Sequence, residues 1–282
     1  MNLQNIGVIG AGTMGNGIAQ VCALAGFSVT LIDVSEAALE RGMGTVRKNL
    51  DRQVSKETLT SAKANRAIEL IQTSTDYARL NDVDLVIEAA TENLGLKLRI
   101  LEQINAQVKA DCVIATNTSS LSITELAAKV DRPERFIGLH FFNPVPVMTL
   151  IEVIRGLQTS DATHALALAM AERVGKVAIS AGNRPGFVVN RILVPMINEA
   201  IMVLQEGLAS AEDIDTGMRL GCNQPIGPLA LGDLIGLDTL LAIMEAFHEG
   251  FNDSKYRPAP LLKEMVAAGY LGRKSGRGFY TY

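Results

Sequence analysis

Cysteine is scarce in this chain of 282 residues: Cys22, Cys112 and Cys222 stand far apart. An odd number at such spacing excludes a disulfide framework and gives no metal-site pattern, so a reducing, cytoplasmic setting without a bound metal is expected. Net charge is also small, at −4 with a pI near 5.5, which gives no global attraction to nucleic acid or to an anionic membrane. No uninterrupted apolar run approaches the ~20 residues of a spanning helix. The opening Met1-Asn2-Leu3-Gln4 lacks the basic leader of a signal peptide. Neither a low-complexity tract nor an internal repeat is visible. Against these absences stands a hydrophobic content of 48%, enough to bury a sizeable core in one large or two modest domains.

The most informative feature lies at the start. A short apolar strand, Ile6 to Ile9, runs into Gly10-Ala11-Gly12-Thr13-Met14-Gly15, and the next apolar run ends in Asp33, 18 residues past Gly15. Strand, glycine turn, helix, strand and acid in that order form a dinucleotide-binding fingerprint. Gly10 permits the tight turn, Gly12 leaves room for a pyrophosphate, and Gly15 lets the helix approach the strand. Thr13 and Met14 open a helix whose N-terminal N–H groups and partial positive charge favour phosphate. The Asp33 carboxylate can accept hydrogen bonds from ribose hydroxyls and repels a 2′-phosphate. No Arg or Lys follows it closely, since the next residues are Val34, Ser35 and Glu36. The cofactor reading is therefore NAD rather than NADP. The competing reading is a glycine turn that serves packing alone.

Strand patterns at 5–9, 28–33, 84–88, 113–116, 135–141, 149–154 and 176–180, with a weak one near 71–73, alternate with helical patterns at 14–25, 36–53, 94–108 and 161–173. Such alternation predicts an α/β Rossmann-type fold with a mostly parallel sheet. The long charged segment 36–70 reads as a helical hairpin inserted after the second strand. Near Gly182-Asn183-Arg184-Pro185-Gly186 the texture changes, and helices are expected at 187–206, 211–220, 227–234, 237–250 and 260–268. The expected domains are 1–183, which binds NAD, and an all-α C-terminal domain over 184–282. The surplus of Leu, Ile and Met in the latter (Leu193, Met196, Ile197, Ile201, Met202, Leu204) suits a homodimer contact, or else only the domain's own core.

Ligands of such folds bind outside the carboxyl ends of the strands, so strand-end residues are the place to look for chemistry. His164 and His248 fall in helical patterns, whereas His140 ends an apolar strand before an Asn-Pro turn. Oxidising an alcohol needs a base of near-neutral pKa, which imidazole supplies. Glu152, on the following strand, can fix its tautomer and stabilise imidazolium. A strand-end histidine can equally do no more than satisfy a turn. Residues 41–66 hold Arg41, Arg47, Lys48, Arg52, Lys56, Lys63 and Arg66 against Asp51 and Glu57, an excess of five positive charges. That excess reads either as an electropositive ridge for phosphates or as a solvated helix face.

Further motifs extend over nearly the whole chain: Asn117-Thr118-Ser119-Ser120-Leu121, Gly138-Leu139-His140-Phe141-Phe142-Asn143-Pro144, Pro185-Gly186-Phe187-Val188-Val189-Asn190-Arg191, Gly227-Pro228-Leu229 and Arg273-Lys274-Ser275-Gly276-Arg277-Gly278-Phe279-Tyr280. With the glycine loop, and in this order, they make the chain resemble the 3-hydroxyacyl-CoA dehydrogenase family, and within it the bacterial 3-hydroxybutyryl-CoA branch. The resemblance implies reversible hydride transfer between a (3S)-3-hydroxyacyl-CoA and NAD. His140 would be the base and Glu152 its partner. Ser119 and Asn190 would bind the 3-oxygen and the neighbouring carbonyl, with Asn143 supporting that pocket. Glu92, Lys97 and Asn117 would hold NAD on its ribose or nicotinamide side, and Arg52 and Lys56 the phosphates of coenzyme A.

Plainer roles exist for several of these residues. Asn117 and Ser119 suit helix caps before 121–127, Asn190 lies near a helix start, and Glu92 with Lys97 suits a surface pair. A sister dehydrogenase of a sugar acid such as L-gulonate shares most of the motifs. A non-catalytic, crystallin-like NAD-binding protein would lack the His140 and Glu152 pair. Dehydrogenases with a lysine base lack the His-Phe-Phe-Asn-Pro run.

Overall fold

The computed structural model describes residues 3–282. One compact unit ends at Arg184 and a second spans Pro185–Tyr282. In the first, β1 (Asn5–Ile9), β2 (Ser28–Ile32), β3 (Ile71–Ser74), β4 (Leu85–Glu88), β5 (Val113–Thr116), β6 (Phe136–Phe141), β7 (Leu150–Arg155) and β8 (Val177–Gly182) form one sheet. The helices between them are α1 (Thr13–Leu24), α2 (Glu36–Ser55), α3 (Ser61–Glu69), α4 (Leu94–Gln107), α5 (Ile123–Ala127) and α6 (Asp161–Arg173). The strand order is β3-β2-β1-β4-β5-β6-β7-β8, and every neighbouring pair is parallel except β6 with β7. The chain thus reverses direction across the sheet between β1 and β4, the place where ligands of open α/β sheets bind.

Every position of β4, β5 and β6 is buried, which explains their continuous apolar runs: helices cover both faces of a parallel sheet. The segment 36–70 forms the expected helical hairpin. Leu39, Met43, Val46 and Leu50 make one buried stripe along α2, and Ala64 and Ala67 face inward from α3. The basic residues of α2 are left on its outer side. Five of the six helices begin at a capping side chain, namely Ser35, Thr60, Asn93, Ser122 and Ser160. The sixth, α1, begins at Gly12 and has no such acceptor.

The second unit is helical: α7 (Val189–Gln205), α8 (Ala211–Gly221), α9 (Pro228–Ile235), α10 (Leu237–Phe251) and α11 (Pro260–Ala267). Its core joins Val194, Ile197, Ile201, Leu229, Leu240 and Phe247. Ser210 caps α8, and buried carboxylates do further work of this kind. Asp215 on α8 accepts from the Leu229 and Ala230 N–H groups at 2.8 and 2.9 Å, which satisfies the start of α9. Asp233 accepts from the Phe279 and Tyr280 N–H groups at 3.0 Å each and fastens the terminal segment. Among the described residues, no helix is long and apolar enough to cross a membrane.

Candidate active site

The first turn of the fold separates two kinds of glycine. A Cβ on Gly10, whose φ is +97°, would stand 2.7 Å from the Ala90 Cα, and one on Gly15 would stand 1.7 Å from the Gly10 carbonyl oxygen. The chain's own packing requires both. A Cβ on Gly12 would meet nothing within 4 Å, so the space before it is open to a ligand. Asp33 flanks the turn; its Oδ2 accepts from the Ala11 N–H at 2.9 Å and its Oδ1 from the Ser35 N–H at 3.1 Å. Each oxygen keeps a further lone pair, which suits ribose hydroxyls. A groove of about 330 Å³ runs over Gly10, Gly12 and Thr13 to Asp33. The uncapped start of α1, the open face of Gly12 and the carboxylate of Asp33 fit a dinucleotide: N–H donors for its phosphates, close backbone approach, and an acceptor for its ribose.

One wall of this groove escaped the sequence reading. Arg41, Gly42 and Thr45 of α2 line it. A Cβ on Gly42 would stand 2.7 Å from the Ala11 carbonyl oxygen, so this glycine lets α2 lie against the turn. The available signal was a glycine inside a helical pattern, which costs stability and so asks for a packing reason.

At the ends of β4 and β5 two acids behave differently. Glu88 and Lys97 are 0% and 1% exposed and form an ion pair. Thr116, the register partner of Glu88, closes the group: its hydroxyl donates to Glu88 Oε2 at 2.8 Å and accepts from Lys97 Nζ at 3.2 Å. The other Glu88 oxygen takes the Ala90 N–H at 2.9 Å. This departs from the plainer reading of Lys97 and Glu92 as a surface pair. A carboxylate with no water needs a cation, and the lysine stem of α4 delivers one. Glu92 is exposed on the loop after β4, and its carboxylate accepts from the Thr118 hydroxyl at 2.6 Å, the Ser119 hydroxyl at 2.9 Å and the Ser119 N–H at 2.6 Å. Neither Asn117 nor Ser119 caps α5, because Ser122 does. Asn117 Oδ1 accepts from the Phe141 N–H at 2.8 Å, tying the loop after β5 to the end of β6.

The antiparallel step of the sheet creates the remaining pair. His140 and Glu152 are directly opposite in the β6–β7 register, so their side chains project from the same face. His140 Nδ1 lies 2.7 Å from Glu152 Oε2, with the residues 6% and 0% exposed. An ionised carboxylate only accepts, so Nδ1 is the donor in this contact. The Phe142 ring sits 4.5 Å from the imidazole centroid and holds its plane.

The other expected site residues stand on a loop and at helix ends. Asn143 is exposed on the loop after β6. Arg52 lies in the last turn of α2 and Lys56 caps it, both exposed. Asn190 sits half-buried in the first turn of α7, in the second unit, where Val188 holds the cap position. Burial pushes the thiols of Cys22 and Cys112 up to about 12, so both stay protonated.

The chain matches known proteins along its length. A family model described as the NAD binding domain of 3-hydroxyacyl-CoA dehydrogenase matches residues 5–184, and one described as the C-terminal domain matches 186–282. A 3-hydroxybutyryl-CoA dehydrogenase of Bradyrhizobium diazoefficiens is 52% identical over 280 residues, covering 99% of this chain and 96% of that protein. The crystal structure of (S)-3-hydroxybutyryl-CoA dehydrogenase from Ralstonia eutropha is 60% identical with a TM-score of 0.98, covering 100% of this chain and 99% of that one. A diketoreductase of dicarbonyl compounds is 30% identical with a TM-score of 0.87, and both chains are covered fully.

Proposed function

The chain belongs to the 3-hydroxyacyl-CoA dehydrogenase family and is an NAD-dependent dehydrogenase, and from that premise we propose that it interconverts (3S)-3-hydroxybutyryl-CoA and acetoacetyl-CoA. One observation carries the chemistry: the 2.7 Å contact of His140 Nδ1 with a fully buried Glu152. NAD supplies the hydride acceptor when bound. The proton falls to the protein. His140 Nε2 takes it from the 3-hydroxyl as the C3–H bond breaks and the C3=O bond forms. Glu152 holds the ring in the productive tautomer and offsets the charge of imidazolium. In the reverse direction the same nitrogen returns the proton to the 3-oxygen.

Ser119 is assigned to the 3-oxygen and Asn190 to the thioester carbonyl, with Asn143 supporting the former. Glu92 and Asn117 are assigned to the ribose and nicotinamide side. Arg52 and Lys56 are assigned to the phosphates of coenzyme A; their exposure and the surrounding excess of positive charge support it. A homodimer through the helical unit is supported by exposed apolar side chains, among them Ile192, Leu208 and Leu220. Three unpaired cysteines support a reducing, cytoplasmic setting.

The test is the initial rate of NADH oxidation with acetoacetyl-CoA, with a CoA-free 1,3-diketone and, in the oxidative direction, of NAD reduction with L-gulonate. The proposal expects acetoacetyl-CoA to lead in kcat/KM by orders of magnitude. Equal or faster turnover of the diketone or the sugar acid would reassign the substrate.

A further inference from the structure

The dinucleotide groove contains a cation that the glycine fingerprint does not include. Of the side chains along it, Asp33 carries the negative charge and Arg41 the positive one. Asp33 is committed to the Ala11 and Ser35 N–H groups on the ribose side. Arg41 forms no ion pair with Asp33 or with any other acid among the described residues. Its exposed guanidinium is therefore available to a ligand.

Its position is fixed from both sides. Gly42, the next residue, lies close against the Ala11 carbonyl oxygen, where a Cβ would stand at 2.7 Å. One helical turn on, the Thr45 hydroxyl donates to the Arg41 carbonyl oxygen at 3.1 Å. The backbone of α2 thus abuts the glycine turn beside Arg41, on the side where Gly12 leaves open space. A dinucleotide brings two phosphate charges to that place. The start of α1 offers a partial charge of about +0.5, which leaves most of this charge unmatched.

We propose that Arg41 pairs with the pyrophosphate of the bound dinucleotide and supplies much of the charge-dependent part of cofactor affinity. Guanidinium suits this because its planar N–H groups match two phosphate oxygens at once. The role is one of binding, not of proton or hydride transfer. Placed on the wall of α2 beside the glycine turn, Arg41 complements the N–H donors of α1 from across the groove.

The test compares wild type, Arg41→Lys and Arg41→Gln in direct binding. The chain has no tryptophan, so NADH emission can be read without energy transfer from that residue. Calorimetry gives ADP-ribose, adenosine and NADPH. Because Arg41 is exposed, the variants are expected to fold, and a melting curve checks that they do. For Arg41→Gln we expect Kd for NADH and ADP-ribose to rise about tenfold to hundredfold, with Arg41→Lys between. Adenosine binding should stay unchanged, and the salt dependence of NADH binding should flatten. An unchanged Kd for NADH would overturn the proposal. So would an equal loss for adenosine, which would mean that α2 has moved. A larger loss for NADPH than for NADH would move the arginine's partner to the 2′-phosphate and overturn the pyrophosphate assignment.

Discussion

Two buried pairs, each of an acid with a nitrogen side chain, stand at the strand ends of the first unit, and they suit different work. Glu88 and Lys97 are sealed at 0% and 1% exposure, and Thr116 and the Ala90 N–H take up the remaining polar atoms. His140 and Glu152 share the burial but not the chemistry, because imidazole has ring nitrogens that can both donate and accept a proton while ammonium only donates. Their positions in the sheet differ as well. The lysine reaches its acid from a helix, across a parallel pair of strands. The histidine meets its acid within the sheet, where the antiparallel register of β6 and β7 sets the distance. A buried ion pair closed by a hydroxyl and a backbone N–H suits a support; a buried imidazole beside a carboxylate suits the proposed base.

The largest expected effect tests the reagent. His140→Gln should lower kcat by about 10²–10⁴-fold with Kd for NADH unchanged, measured by steady-state turnover and by NADH fluorescence. Glu152→Gln should lower kcat by a comparable factor, because an amide can donate to Nδ1 and so favour the wrong tautomer. Turnover near wild type in either variant would place the base elsewhere and remove the contrast between the pairs.

The second prediction concerns the support. Lys97→Met leaves Glu88 buried without its cation and should cost about 3–5 kcal/mol in denaturant unfolding. The double variant Lys97→Met with Glu88→Met should recover most of that loss, because an apolar pair of similar volume replaces two charges. If Lys97→Met instead leaves stability intact and weakens NADH binding, Lys97 touches the cofactor and the two pairs are alike in function.

The difference between the pairs also explains what the sequence made legible. The glycine loop and Asp33 are readable because backbone geometry and ribose chemistry restrict those positions to one or two residue types. His140 and Glu152 are readable because each ends or follows an apolar run in which a polar residue stands out. The partner of Lys97, Glu88 rather than Glu92, was not legible for a physical reason. The lysine stem lies along a helix that reads as amphipathic, and nothing local shows whether a lysine turns to water or reaches under a loop to a carboxylate. Arg41 was legible only as one charge of the basic ridge: Gly42 signals close packing, but its neighbour becomes part of a binding groove only once α2 lies against the glycine turn. The cap of α5 was misread for a third reason: Asn117 and Ser119 satisfy a capping pattern, but the chain path places Ser122 at the helix start.

A smaller effect is expected from the basic ridge on α2. Replacing Arg52 and Lys56 together by Gln should raise KM for acetoacetyl-CoA about tenfold, since exposed charges on phosphate contribute modestly and are screened by salt. KM for a short thioester that lacks the nucleotide should stay unchanged. Equal changes for both substrates would make these residues an ordinary solvated helix face and would confine the charge-dependent chemistry of the unit to the dinucleotide groove.

The smallest effect uses the other end of β4, where a third acid meets a lysine. Asp84 accepts from the Gln4 and Asn5 N–H groups at 2.8 and 2.9 Å and from Lys109 Nζ at 2.7 Å, so it ties the start of β1 to the residues around β4. Burial raises its pKa, but the Asn5, Lys109 and Gln4 donors together outweigh this and hold the carboxyl below the usual carboxylate range. The sign follows from linkage. A folded-state pKa below the unfolded value of about 3.9 means stability that is present above that value and is lost as pH falls through the folded one. Solvent reaches this pair, unlike the one sealed at Glu88, so Asp84→Asn should cost only about 1 kcal/mol at neutral pH. Denaturant unfolding from pH 5 down to pH 2 should show the wild type losing this increment while the variant does not. A loss at neutral pH as large as that of Lys97→Met would mean that Asp84 is as sealed as Glu88. The exposure of the pair, rather than its chemistry, would then have failed as the measure of what a buried acid contributes.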